Sequence, residues 1–204
     1  MSVRIRVNPD LTEPMDTDRK TLIADTALAL LGRTGAKGLT HRAVDAEAGL
    51  PLGSTSFYCR TRLDLLTLTL KRHADLDLAD LQADALQMAK DGFTSAQFNA
   101  LLMDRLADWV SPHKRERLVA RFQLILMATC EPQLADALRQ QREHFLLAAE
   151  AGLKRLGRRD AAQAAPRLVA VMDGILLDHI QSEGAALVSV KQRRALIEMC
   201  LGEG

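Results

Sequence analysis

Residues Thr40 to Leu66 read THRAVDAEAGLPLGSTSFYCRTRLDLL, and this stretch decides how the rest of the chain is understood. Val44, Ala48, Leu50 and Thr55 place apolar or half-apolar groups at helical spacing, and Gly49 interrupts them. A glycine at that point accepts the left-handed backbone that ends one helix and redirects the chain into another. The spacing therefore predicts a short helix, a glycine turn, a second short helix from Pro51 to Cys59, and the start of a long third helix. Two short helices joined in this way make a helix-turn-helix, whose second member can enter a DNA major groove. Thr61 and Asp64 then form a capping box that opens the long helix.

The same residues carry a resemblance. The order Thr40, Ala48-Gly49, Gly53-Ser54, Phe57-Tyr58 and Arg62, in register and ungapped from Gly38 to Leu66, resembles the N-terminal DNA-binding domain of the tetracycline-repressor (TetR) family of one-component transcriptional regulators. The resemblance extends back to Asp18. It implies an all-α fold: a three-helix helix-turn-helix domain joined by a long helix to a helical effector-binding and dimerisation domain. The expected divisions are an N-terminal arm at residues 1–16, the DNA-binding domain at 17–66 and the effector and dimerisation domain at 67–204.

Two residues depart from the commonest family pattern. Asp45 stands where a small apolar residue is usual, and an unpaired buried carboxylate is costly. Placed near the start of the recognition helix, it would instead accept that helix's free amides. Pro51 stands where a capping serine is usual, and proline is tolerated at a first helical position because its missing N–H has no partner there.

Candidate DNA contacts follow residue by residue. Thr40 caps the second helix and, with its free amides, meets a phosphate. His41 and Arg42 lie in the first turn; guanidinium grips phosphate or guanine in a two-pronged fork, whereas His41 reads equally as a merely exposed side chain. Leu52, Gly53, Ser54, Ser56, Phe57 and Tyr58 face the groove. Phe57 meets a thymine methyl or, alternatively, packs against the first helix, and Tyr58 donates to a phosphate. Arg62 occupies the position where the family places a phosphate-contacting lysine. Cys59 reads as a small buried hydrophobe.

Outward from this centre, composition supports helices. The chain has 204 residues, is 48% hydrophobic but only 3% aromatic, and is rich in Ala and Leu, which favours helix over sheet and suffices for a sizeable core. A net charge of +1 places any basic surface locally, with Arg42, Arg60 and Arg62 as its edge. Arg4 and Arg6 in the arm offer a minor-groove contact that Asp10, Glu13 and Asp16 weaken. Cys59, Cys130 and Cys200 show no paired spacing, so neither a disulfide framework nor a metal site is expected, and no cofactor is implied. No apolar run reaches membrane-spanning length and no signal peptide opens the chain, which predicts a soluble, cytoplasmic protein with no membrane partner.

Ile23, Ala27, Leu30 and Leu31 form the apolar stripe of a first helix capped by Thr17. A long connector runs from Arg62 to Ala89 with leucines 65, 66, 68, 70, 76, 78 and 81 as its apolar faces. Helices at 96–110, 113–130, 132–156, 159–181 and 190–201 complete the chain.

The resemblance implies a homodimer on near-palindromic operator DNA, released by a small-molecule effector of unknown identity. Met103, Trp109, Phe122, Met127, Phe145 and His179 are candidate effector-pocket residues, although each also reads as ordinary core. Leu168, Met172, Ile175, Leu176, Leu196, Ile197 and Cys200 are candidates for the dimer surface, and some also read as intrachain core. Two rival classes stand beside the regulator: a helical protein that uses its helix-turn-helix for protein contacts, and an enzyme assembled across the bundle. No nucleophile, phosphate-loop or zinc-protease motif supports the second.

Overall fold

The computed structural model describes residues 13–182 and 188–202. Among them every regular element is helical: α1 (Glu13–Gly38), α2 (His41–Glu47), α3 (Ser54–Tyr58), α4 (Arg62–Met88), α5 (Ser95–Trp109), α6 (Arg115–Met127), α7 (Pro132–Arg155), α8 (Ala161–Gln181) and α9 (Val190–Leu201). One 3-10 turn, Pro112–Lys114, leads into α6. The expected arm at residues 1–16, with Arg4 and Arg6, lies outside the described residues up to position 12; α1 begins at Glu13, ahead of the cap expected at Thr17.

Local chemistry explains where the helices start and stop. Thr61, Thr94 and Ser189 each accept the amide three residues on, and Asp64, Gln97 and Gln192 reach back to complete three capping boxes. Pro132 opens α7 at the position where its missing N–H is harmless. α1 is interrupted at Gly35 (φ 68°), so its last residues turn toward the motif.

Two apolar clusters form the interior. The stripe of Ile23, Ala27, Leu30 and Leu31 packs with Leu39, Val44, Cys59, Leu65, Leu66 and Leu70, and the same cluster takes in Ala120 and Leu124 of α6 and Leu134 of α7. The second is built mainly from α5, α7, α8 and α9, around Phe98, Leu106, Leu153, Leu168, Leu176 and Ile197. α4 passes between them without a break. At 27 residues it spans about 40 Å at 1.5 Å per residue.

The inner face of α4 differs from the all-leucine face expected from sequence. Leu65, Leu66 and Leu70 are buried, but beyond them the next buried positions are His73 and Asp77, with Met88 following only at the helix end, while Leu78 is exposed. Arg117 and Arg121 on α6 and Gln141 on α7 make that possible. No helix among the described residues is long and apolar enough to cross a membrane.

Candidate nucleic-acid interface and effector cavity

Asp45 organises the turn between α2 and α3. Its side chain is buried, and its two oxygens accept the Gly53 and Thr55 amides, each at 2.7 Å. Burial alone would raise its pKa; the bonds from Thr55 and Gly53, with His41 nearby, outweigh burial and hold the carboxyl below its ordinary value. The carboxylate thus does for α3 what a capping side chain does from within the chain, but from eight and ten residues upstream. The backbone around it depends on glycine: Gly49 has φ 64° and Gly53 φ 95°, values that side chains with a Cβ rarely adopt. Because Gly53 turns left-handed, α3 starts only at Ser54, three residues later than Pro51 predicted, and Pro51 closes a turn by accepting the Ser54 amide at 3.1 Å.

The surface around this turn sorts the candidate contacts. Arg42, Leu52, Gly53, Ser56 and Phe57 are exposed, with Leu52 and Phe57 each at 78%. Phe57 therefore does not pack against α1; it meets Tyr58 edge to face at 5.1 Å. Thr40 accepts the Ala43 amide at 3.1 Å as the cap of α2. His41 is half-buried and donates from Nε2 to the Cys59 carbonyl at 2.7 Å, tying α2 to the end of α3. Ser54 donates its hydroxyl to the Pro51 carbonyl at 2.6 Å. Arg62 donates to the carbonyls of Leu39, at 2.6 Å, and Ala36, so its guanidinium clamps the end of α1 to the start of α4. Cys59 is buried, and burial pushes its thiol pKa up, as expected of a small hydrophobe.

Below the helix-turn-helix, α4 meets α5 and α6 through a run of paired charges. Asp77, Asp80 and Asp84 recur on one face of α4. Asp77 accepts from Arg117, from Arg121 at 3.2 Å and from Gln141 at 2.6 Å, and His73 lies 3.2 Å away. Burial would raise the Asp77 pKa, but His73, Arg121 and Arg117 outweigh it and keep the carboxyl well below the carboxylate range. Asp80 accepts from Arg117 at 2.8 Å and from the Trp109 indole at 2.9 Å, while Asp84 holds Arg105 at 2.7 and 2.9 Å.

Besides a void of about 10 Å³ at Asp77 and Arg117, two larger cavities adjoin this network. The inner one, about 70 Å³, is lined by Leu81, Met88, Phe98, Trp109, Leu168 and Met172, with Asp84 and Arg105 at its edge. The outer one, about 290 Å³, lies among α6, α7 and α8 and is lined by Ile125, Leu138, Arg139 and Arg142. Arg121, Phe145, Val169 and Asp173 line both. Phe145 meets Trp109 edge to face at 5.8 Å and carries the Arg121 guanidinium over its ring at 4.7 Å.

A family model for the tetracyclin repressor-like C-terminal domain matches residues 93–202, more than half of the chain. The chain belongs to the TetR family of transcriptional regulators. A member of that family from Streptomyces coelicolor A3 is 26% identical, superimposes with a TM-score of 0.71, and aligns over 90% of this chain and 98% of its own. The multidrug binding protein EbrR, in complex with ethidium, is 26% identical with a TM-score of 0.70, covering 91% of this chain and 99% of EbrR. A transcriptional regulator from Rhodococcus sp. Rha1 shares the fold at 20% identity, with a TM-score of 0.74 and coverage of 90% and 94%. Among curated protein sequences none matches this chain.

Within this TetR-family framework the candidate pocket and dimer residues separate. Trp109 and Phe145 lie together at the inner cavity. Phe122 and Met103 are half-buried against the same cluster and Met127 against the other, but none of the three lines either cavity. His179 also stands outside both; burial, with Arg193 and Arg115, lowers its pKa, and its Nδ1 is buried without a partner. Leu168, Met172, Ile175, Leu176 and Ile197 are buried within the chain, and Leu168 and Met172 line the inner cavity. Only Leu196, at 36%, and the half-buried Cys200 reach the surface. The outward apolar groups of α8 and α9 instead include Ala170, Leu177, Val190, Leu196 and Met199, the last 75% exposed.

The charged cavity residues that sequence reasoning missed are Arg121, Arg139 and Arg142. A signal existed for the first. Arg121 follows Leu118 by three residues and precedes Leu124 by three, so that with Arg117, one turn earlier, it interrupts the apolar face of α6.

Proposed function

We propose that the chain is a homodimeric, ligand-responsive transcriptional repressor that acts in the cytoplasm on double-stranded operator DNA. The observation that carries this reading is the exposed strip of Arg42, Leu52, Ser56 and Phe57, presented by a turn whose backbone Asp45 pins from below. Two apolar side chains this exposed leave a surface suited to a partner, and Arg42 beside them supplies a phosphate or guanine contact. Phe57 reaches a thymine methyl, while Gly53 and Ser56 let the backbone approach closely. His41, Thr40, Ser54 and Arg62 hold the motif's shape, and the Thr40 hydroxyl and the unused N–H groups of Arg62 are left for the phosphates. The domain division at 66/67 assigns DNA contact to the first unit and effector binding with dimerisation to the second, α4 joining them.

In the dimer, α8 and α9 pair with their copies through Ala170, Leu177, Leu196 and Met199, and the two α3 helices enter successive major grooves about 34–36 Å apart. That EbrR, 26% identical to this chain, binds ethidium supports the ligand-responsive reading in general. Release of the protein from DNA by its ligand then requires that the ligand bind the two states with different affinities, typically about 1–3 kcal/mol of coupling.

The test is fluorescence anisotropy of the full chain against duplex tiles from its own upstream intergenic region at two salt concentrations. Selective, salt-sensitive binding to a palindromic tile is the expected result. A second reading, protein rather than DNA contact, draws on the same exposed Leu52 and Phe57. It prevails if no duplex binds even at low salt.

A further inference from the structure

We propose that the effector is a small organic anion, an apolar body bearing a carboxylate or comparable oxyanion, whose head is bound by Arg121 and Arg142 in the outer cavity. The proposal rests on the ligand-responsive reading above and specifies the chemistry of its ligand. Three arginines, Arg121, Arg139 and Arg142, line that cavity against a single aspartate, Asp173. The acids that balance them lie elsewhere: Asp77 beneath Arg121, and Asp136 paired with Arg139 outside the cavity lining. Asp173 is already committed, with Oδ1 accepting from Arg121 at 2.8 Å and Oδ2 from Arg142 at 3.3 Å.

The donors, by contrast, are incompletely used. Arg121 Nε is buried and has no hydrogen-bond partner, although its side chain lines both cavities. Buried donors in native proteins are almost always satisfied, so an orphan in a cavity wall calls for an acceptor. Arg142 is 52% exposed and holds Asp173 only at 3.3 Å, leaving its guanidinium available at the entrance. An oxyanion answers both groups with charge-assisted bonds. A cation would face three guanidiniums with no uncommitted carboxylate.

The apolar body has its own place. Ile125, Leu138, Phe145 and Val169 line the outer cavity, and the inner cavity, beyond Phe145, adds Trp109 and Met172. At about 290 Å³ the outer cavity lies at the small end of ligand pockets, which run from ~300 to 1,000 Å³. Occupancy also has a route to the connector, because Arg121 Nη1 bonds Asp77 on α4 at 3.2 Å. A ligand oxyanion that recruits Arg121 competes with that bond.

The experiment uses the full chain and three matched probes: 4-phenylbutyrate, 4-phenylbutylamine and 4-phenylbutanol. Binding is followed by calorimetry and by the fluorescence of Trp109, the one tryptophan in the sequence. The acid is expected to bind at least about tenfold more tightly than the amine or the alcohol. Arg142→Gln, at an exposed position where folding is not at stake, is expected to reduce the acid-to-alcohol selectivity by about tenfold. Equal or tighter binding of the amine or alcohol overturns the proposal. So does unchanged selectivity in Arg142→Gln, or no saturable binding by any probe. DNA binding is measured separately, without ligand: a chain that binds the acid but no duplex keeps this site and loses the repressor reading, and the converse result does the reverse.

Discussion

Replacing Asp45 with alanine removes the acceptor for the Thr55 amide of α3 and the Gly53 amide just before it, while leaving every exposed contact residue in place. The Thr55 amide lies on a residue that is 0% exposed, so water cannot replace the lost bond. A buried hydrogen bond to a charged group contributes about 1.5–3 kcal/mol. The Gly53 amide lies on an exposed residue and regains water, so its loss is smaller, about 0.5–1.5 kcal/mol. Relief from burying a carboxylate offsets part of this, leaving about 2–3 kcal/mol, concentrated at the turn. Amide hydrogen exchange reads it locally: Thr55 should exchange roughly 30-fold faster or more, while amides in α8 change much less. Operator affinity, measured by anisotropy, should fall by at least a similar factor because α3 is no longer held for docking. A variant whose Thr55 exchange and unfolding midpoint both match the wild type would refute the reasoning that Asp45 pins the recognition helix.

The same carboxylate sets a pH dependence. Its folded-state pKa is depressed, so its contribution is full above the unfolded value of about 3.9 and is lost as pH falls through the lower folded value. The stability gap between wild type and Asp45→Asn, by urea denaturation, should be widest near neutrality and close below about pH 4; a gap that widens on acidification contradicts the assignment. Phe57→Ala, at a 78% exposed side chain, should leave the melting temperature unchanged and weaken operator binding at least about tenfold, and equal affinity would remove Phe57 from the interface. Arg42→Ala should lower the slope of log affinity against log salt by about one unit, readable in the same anisotropy titration. Gly32→Ala places a Cβ 2.1 Å from the Glu116 carbonyl oxygen, backbone against backbone, so α1 and α6 must separate at about 1–3 kcal/mol; an unaltered denaturation curve would show that the contact is looser. Met199→Glu, on the outward face of α9, should shift sedimentation from dimer to monomer.

Sequence by itself determined the helical fold and the centre of the DNA-binding reading. Capping boxes at Thr61, Thr94 and Ser189, prolines at helix starts, glycine at position 49 and the stripe from Ile23 to Leu31 act over one to eight residues, and such short-range chemistry is written locally. The role of Asp45 was legible too, because its chemistry required amides and the nearest free ones belong to α3. Other assignments needed the tertiary structure. Leu168, Met172 and Ile197 have the same periodicity whether they face their own core or a second copy, and only packing placed them inside. Arg62 and His41 matched a contact pattern, yet carbonyls 18 to 26 residues away in sequence occupy their donors. Most of all, Arg121 gains its meaning from Asp77, Phe145 and Asp173, which lie on three other helices. Helical periodicity says which face a residue occupies; which charge stands opposite it is fixed only when the helices meet.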